Sequence, residues 1–480
     1  MKTCSCGDHA HHAATFSRRE IIQMGTVGVV GSSLLPLFRS TKVLAQATVD
    51  PLNTADACIF VKLAGAPSHM DTFSVKEGSW TPDDWDVQQS GEIRLSNRLF
   101  PNLLGQVDKF SIIHSVQAWV PVHAVGQYWI DTSQDFNAAL AAERPALGAV
   151  VALEFQPQRG TDDVFPGFVS LISTPAVRNG FLNGMTAPFP IVNGGPTSTA
   201  RLIGAGGLPT LNHPRGQAAF TNFYDQLQVM DAAQRSADPP WGKAVKDYND
   251  FYTVARGMMY NPTVSEAFLY SDAQRQAYGN TTFGDSCLVA RNLIAANKGT
   301  RFVHITFGSW DHHNNVYTNL RSMGPVLDSG LAGLLADLAN TPSARKGQSL
   351  LDRTLIVVMG EFGRTPPSRY GPSGLNGTQG RDHYQNVQCC LIAGGGVQGG
   401  RNIGVLNTDG SVISDPGWSH ADRRGTAGPN IRMEDIGVTI YSALGINWTT
   451  EIVDTPSRRV FQYINGGPNT VYEEVRELFA

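Results

Sequence analysis

Residues 305–316 read ITFGSWDHHNNV. An apolar, β-branched run ends at Phe307, and within a few residues Asp311, His312 and His313 stand together. Carboxylates beside imidazoles suit zinc, manganese or iron, whereas calcium and magnesium prefer all-oxygen shells. Similar groups follow other apolar runs: His69 and Asp71 in LAGAPSHMDTF, His123 in QAWVPVHAVGQYW, Glu361 and Arg364 in VVMGEFGRT, and Asp382 and His383 in GRDHYQN. Asp311 and His313, two apart on one loop, can converge on one ion. A second carboxylate from another strand end can bridge or hold a second ion. Ordinary structural roles compete with each assignment. A lone Asp after a strand often caps a turn, and Glu361 with Arg364 also fits a structural ion pair. His304, inside an apolar run, reads as a core histidine, and His213 and His420, in loops without acidic company, read as solvated.

These groups need elements that bring them to one place. The runs ACIFVKL (57–63), FSIIHSV (110–116), GFVSLI (167–172), RFVHITF (301–307), TLIVVMG (354–360) and VQCCLIAGGG (387–396) do not alternate, the pattern of strands buried on both faces. Helix-like patterns span 144–155, 285–299, 324–340 and 434–445. Strand and helix alternate, which predicts an α/β fold: a doubly wound, mostly parallel sheet with right-handed crossovers. The strands at 57–63, 301–307 and 354–360 are expected as near neighbours with their carboxyl ends on one edge, where such sheets bind ligands. A Gly/Pro-rich stretch at 190–216 and a polar helical stretch at 217–282 predict an insertion or cap around 176–284.

With 480 residues, 41% of them hydrophobic, the chain can bury a large core, while 16% charged residues beside 50 glycines and 27 prolines argue against long helices or coiled coils. No Lys/Arg block suggests a nucleic-acid footprint. Ser17-Arg18-Arg19 precedes a mildly apolar, Gly-containing stretch that ends in LAQA, the pattern of a twin-arginine export signal with cleavage after Ala47. That stretch is too short and too glycine-rich for a membrane span. Five of the 37 basic and two of the 41 acidic residues lie in 1–47, leaving 32 and 39, a net −7. The sequence thus predicts one α/β domain over 48–480, located in the periplasm or secreted. Replacing Arg18 and Arg19 with Lys is expected to leave the protein in the cytoplasm, and fractionation checks this. The remaining cysteines, Cys58, Cys287, Cys389 and Cys390, form no C-x-x-C, so a thiolate zinc site is not expected.

Together LAGAPSHMDTF, ITFGSWDHHNN, VVMGEFGRTP, GRDHYQNVQCCLIAGGGVQGG and TIYSALGINW resemble the sulfatase-like exported proteins grouped as domain of unknown function 1501, from about Cys58 to Ala480. That group is regarded as a distant branch of the alkaline phosphatase superfamily. The resemblance implies its α/β fold, one or two divalent metal ions (zinc or manganese rather than calcium), and hydrolysis of phosphate or sulfate esters. Carried over, Asp71 matches a first-strand metal carboxylate, Asp311 with His313 a ligand pair, Glu361 a position usually Asp, and His383 a late histidine ligand. Phe362 stands where a histidine ligand usually follows. His123 occupies the position of the sulfatase nucleophile, where it can accept a phosphoryl group, act as acid or base, or ligate metal; Thr72 and Ser115 are weaker alternatives. Arg364 is expected to steady anionic ester oxygens. The resulting expectation is an exported metal-dependent hydrolase of anionic esters, glycan-linked ones included. The alternative is a non-catalytic envelope binding or assembly protein on the same scaffold.

Overall fold

A computed structural model describes residues 48–172, 177–204, 207–208, 213–232, 243–417 and 430–479. Arg18, Arg19, the cleavage site and His420 lie outside the described residues. Twelve strands matter here: β1 (Ala57–Lys62), β2 (Val87–Ser90), β3 (Ile93–Ser96), β4 (Phe110–Val116), β5 (Phe168–Leu171), β6 (Phe189–Ile191), β7 (Phe302–Thr306), β8 (Thr354–Met359), β9 (Gly363–Arg364), β10 (His383–Tyr384), β11 (Gln388–Ala393) and β12 (Asn402–Ile403).

Eight of them form one sheet in the order β12-β4-β11-β8-β1-β7-β5-β6. β1 lies between β8 and β7, parallel to both, as their uniformly apolar runs predict. The departure is β11, antiparallel to both neighbours, β4 and β8. All six residues of β1 and of β8 are buried, because both faces are covered. Ile59 and Val61 face one core with the helices Thr282–Ala296 and Val316–Asn340. Cys58 and Phe60 face a second core with the helices Leu147–Phe155 and Met433–Ala443.

Cys389 belongs to the first core and Cys390 to the second, and all four cysteines in the described residues are free and buried. Burial in apolar surroundings pushes every one of these thiols up, that of Cys389 to about 12.

Two sequence boundaries shift. The helix expected at 324–340 begins at Val316, directly after the DHHNN loop, and passes through Pro325. Its first two turns carry polar Thr318, Asn319, Arg321 and Ser322, which conceal the apolar periodicity. Within the expected insertion, β6 joins the main sheet beside β5, while the helices Gly216–Met230, Lys243–Met258, Pro262–Phe268 and Asp272–Ala277 follow it. No helix among the described residues is long and apolar enough to cross a membrane.

Candidate metal centre

β1, β7 and β8 run in the same direction, so the turns that follow them meet at one sheet edge. The β7 turn delivers Asp311 and His313. The β8 turn delivers Glu361 and then β9, which pairs antiparallel with β10 and sets His383 opposite Arg364. β4 leads through Trp119 and Pro121 to the helix His123–Thr132, with His123 as its first residue.

Three imidazoles converge on one carboxylate oxygen. Asp311 Oδ1 lies 3.3 Å from His123 Nε2, 3.0 Å from His313 Nε2 and 3.4 Å from His383 Nε2. His313 Nε2 and His383 Nε2 are 3.0 Å apart. The other ring nitrogens fix which atoms carry protons. His123 Nδ1 donates to Glu361 Oε1 at 2.6 Å, and His383 Nδ1 donates to the Pro121 carbonyl at 2.9 Å. Carboxylate and carbonyl oxygens only accept, so in the neutral rings both protons sit on Nδ1 and both Nε2 atoms present lone pairs. Those lone pairs face Asp311, itself an acceptor, and His123 Nε2 is buried without a hydrogen bond. The neutral His123 Nε2 and Asp311 are electron-pair donors facing one another without a proton between them, which suits a cation, while His383 Nε2 also lies within hydrogen-bond distance of His313 Nε2. The edge of a tetrahedron with metal–ligand bonds of about 2.0–2.1 Å is about 3.3 Å, close to the 3.3 and 3.4 Å separations. His123, Asp311 and His383 therefore fit a zinc-like ion. His313, Asp382 and His383 form a second, overlapping group, with His313 Nδ1 3.6 Å from Asp382 Oδ1.

The surroundings hold these groups in place. Glu361 is fully buried and accepts from Gly65 N at 2.9 Å and Gln127 Nε2 at 3.1 Å as well as from His123. A carboxylate behind a ligating histidine fixes its ring and raises its basicity. Burial lowers the His123 pKa, but the hydrogen bond and charge of Glu361 outweigh it and the net shift is upward. His383 moves downward through burial and the nearby Arg364. Asp311 is held at about 2: burial raises it, but Arg364, 2.6 Å away, more than offsets that. Phe362 is fully buried, with its ring centroid 4.9 Å from that of His123 and 4.8 Å from that of His383. An apolar plate thus stands where a further ligand was sought.

Two glycines allow the close approach. Gly65 has φ +102, and a Cβ there would come within 2.7 Å of Asp311 N. A Cβ on Gly126 would lie 3.0 Å from Glu361 Cβ, so the His123 helix rests directly on the Glu361 turn.

Several expected site residues have other partners. The Asp71 carboxylate is bound by Arg381, with Nη2 at 3.0 Å, by Tyr317 Oη at 3.1 Å and by Ser68 Oγ at 2.5 Å. It is a buried ion pair instead of a member of the histidine cluster. Glu361 stands behind His123, one shell out from the expected ligand position. Arg364, 1% exposed, donates to the carbonyls of Gly65, Ala66 and Arg381 and to Asp311, so it steadies a carboxylate and backbone where an ester oxygen was expected. His123 lies among the candidate ligands, and the Glu361–Arg364 pair does not form. His312 is buried against Trp310, its pKa lowered to about 4 mainly by burial. Other histidines have partners of their own: His69 bonds to Gly410 O and Arg364 N, His114 to Ser74 and Asn402, and His213 Nδ1 accepts from Arg215 N. Thr72 Oγ1 donates to Ser68 O, and Ser115 Oγ is buried and makes no hydrogen bond to any group of the cluster. Sequence reasoning passed over Pro121, whose carbonyl sets the His383 tautomer; a backbone acceptor leaves no signal in residue types.

A sequence model of the family described as "Protein of unknown function (DUF1501)" matches residues 55–460. No curated protein matches the chain. Solved structures of similar shape include Ps i-CgsB in complex with k-i-k-neocarrahexaose, 13% identical, TM-score 0.35, covering 82% of this chain and 72% of that one. Another is the lipoteichoic acid synthase LtaP from Listeria monocytogenes, 10% identical, TM-score 0.34, covering 88% and 76%. A third is the phosphonate monoester hydrolase SpPMH from Silicibacter pomeroyi, 12% identical, TM-score 0.31, covering 89% and 76%.

Proposed function

The chain belongs to the DUF1501 family, and from that premise we propose that it is an exported, metal-dependent hydrolase of phosphate or sulfate esters. The observation that carries this reading is the pair of tautomers: Glu361 and the Pro121 carbonyl each accept a hydrogen bond from an Nδ1–H, which turns the Nε2 lone pairs of His123 and His383 toward Asp311. His123, Asp311 and His383 would hold the ion, joined by His313 from the open side. When bound there, the ion supplies Lewis acidity toward an ester oxygen and lowers the pKa of an attacking water. Glu361 keeps His123 oriented, and Arg364 keeps Asp311 ionised and in place. Asp382, 39% exposed and 3.6 Å from His313 Nδ1, is placed to hold that ring or a second ion. Asp311 and His313 are 43% and 36% exposed, so the centre is open to a substrate from solvent. The ester class comes from the family resemblance; glycan-linked esters fit an exported location. The twin-arginine leader fits transport of a folded, metal-loaded chain.

Two observations favour the second reading, a non-catalytic binding or assembly protein. No hydroxyl or thiol stands among the residues that form the cluster, and Arg364 is withdrawn from any substrate. Metal analysis combined with a screen of phosphate and sulfate esters separates the two. Metal-dependent turnover supports the hydrolase, and stoichiometric metal without turnover supports the binding protein.

The pH dependence of metal binding follows from His123. Protons and metal compete for Nε2, and Glu361 raises the His123 pKa. Metal should therefore be held more weakly as the pH falls below that raised pKa, because protons then compete for Nε2. Glu361→Gln is expected to weaken zinc affinity by roughly 10–100-fold at a pH well above the His123 titration, where proton competition is absent. A zinc competition titration across pH checks this; affinity within threefold of wild type on the high-pH plateau removes Glu361 from this role.

A further inference from the structure

Below the cluster, on the inner side of the His123 helix, lies a second polar group that the metal reading does not use. Lys62 ends β1 and is fully buried. Its Nζ lies 2.6 Å from Asp131 Oδ2, and Asp131 Oδ1 is 3.1 Å from His304 Nε2. Asp131 and His304 are also buried. Asp131 sits eight residues after His123 on the same helix, near its C-terminal end. His304 pairs with Phe60 in the β1–β7 register, and Lys62 with Thr306, so Lys62 and His304 are two positions apart on one sheet face.

We propose that the Lys62–Asp131–His304 network is a positioning device that sets the rotation and height of the His123 helix over the sheet, and through it the place of His123 Nε2. The inference rests on the metal reading above. The helix is tied near its start to Glu361 by His123 and Gln127 and along its length to Glu434 by Trp129. At its C-terminal end Ile130 offers only hydrophobic burial, which is non-directional, so Asp131 is the directional contact there. A slip of one residue moves a helix by about 1.5 Å and turns it by about 100°, far beyond what a metal–ligand bond accepts. A short buried ion pair with a shared histidine is directional. Buried pairs of this kind are often no more stabilising than apolar residues of the same size, so stability alone does not account for two charges here.

The network also closes a circuit through the site. β1 carries Lys62 and, three residues on, Gly65, whose N–H donates to Glu361. Glu361 holds His123 at the front of the helix, while Lys62 holds Asp131 at the back. β7 carries His304 and then delivers Asp311. The helix is thus fastened at both ends to the strands that present the other groups.

The test is a zinc competition titration and thermal unfolding of the full-length chain. The variants are Lys62→Met/Asp131→Leu, His123→Ala and their combination. Removing both charges together leaves no orphan ion. The double variant orphans only the neutral His304 ring, so it should stay folded near the wild-type temperature yet bind zinc at least tenfold more weakly. His123→Ala in that background should cost far less than in the wild type, because the contribution of His123 has already been lost. If the double variant fails to fold, Lys62→Met/Asp131→Asn, which also leaves no orphan ion, is titrated in the same cycle. Zinc affinity within twofold of wild type, or additive losses in the cycle, overturns the positioning role. If wild type binds no zinc, or His123→Ala binds it as tightly as wild type, it is the metal reading that falls.

Discussion

Asp311→Ala is expected to weaken zinc binding by more than about 100-fold, because even residues one shell behind a metal typically cost 10–100-fold when changed. All three candidate histidines point their Nε2 atoms at Asp311 Oδ1, whereas Asp382 lies against the other ring nitrogen of His313. The protein should still fold. Arg364 loses one acceptor but keeps the carbonyls of Gly65, Ala66 and Arg381. Competition with a chromophoric chelator checks this, and a variant that holds zinc within threefold of wild type would exclude Asp311 as a ligand. The same titration on His312→Ala should show no change, since His312 is packed on Trp310 away from the cluster.

Asp71→Ala should do the reverse. It should lower stability by about 3–5 kcal/mol, the typical cost of leaving one member of a buried ion pair alone. Arg381 is 4% exposed and takes its charge compensation from Asp71, so the substitution strands a guanidinium inside the protein. Burial lowers the Arg381 pKa, but Asp71 outweighs this and the group is held charged. Chemical denaturation measures the loss, and zinc stoichiometry of the remaining folded fraction should equal that of wild type. A stable Asp71→Ala chain that has lost its metal would restore Asp71 to the ligand set and displace the geometry described above.

These two residues also show where sequence reading succeeds and where it stops. Both were legible as carboxylates that follow an apolar strand, and the parallel arrangement of β8, β1 and β7 was legible from runs with no polar alternation. What separates Asp311 from Asp71 is which arginine reaches each carboxylate. Arg364 and Arg381 are 17 residues apart in one segment, and only the β9–β10 pairing decides their aim. His123 was visible as a histidine after a strand, yet its alternatives stayed open, because the acceptor for its Nδ1 lies on another turn. Lys62 and Asp131 look, in sequence, like a strand-end cation and a helix acid of no special note; burial makes them partners. The antiparallel direction of β11 has the same origin, since an apolar run carries no sign of its direction.

The cluster draws on three stretches of chain that are remote in sequence: the start of the His123 helix, the loop after β7 and the β10 hairpin. An ion held there is a non-covalent cross-link that closes two long loops at once. Such loops give up conformational freedom only slowly with length, and ligand bound to the native state alone stabilises it by mass action. At free zinc 100 times its dissociation constant that is about 2.7 kcal/mol. The metal supply of the compartment then sets how long the chain survives proteolysis, separately from any turnover. A chelator should shorten the half-life of wild type in a protease and leave that of Asp311→Ala unchanged.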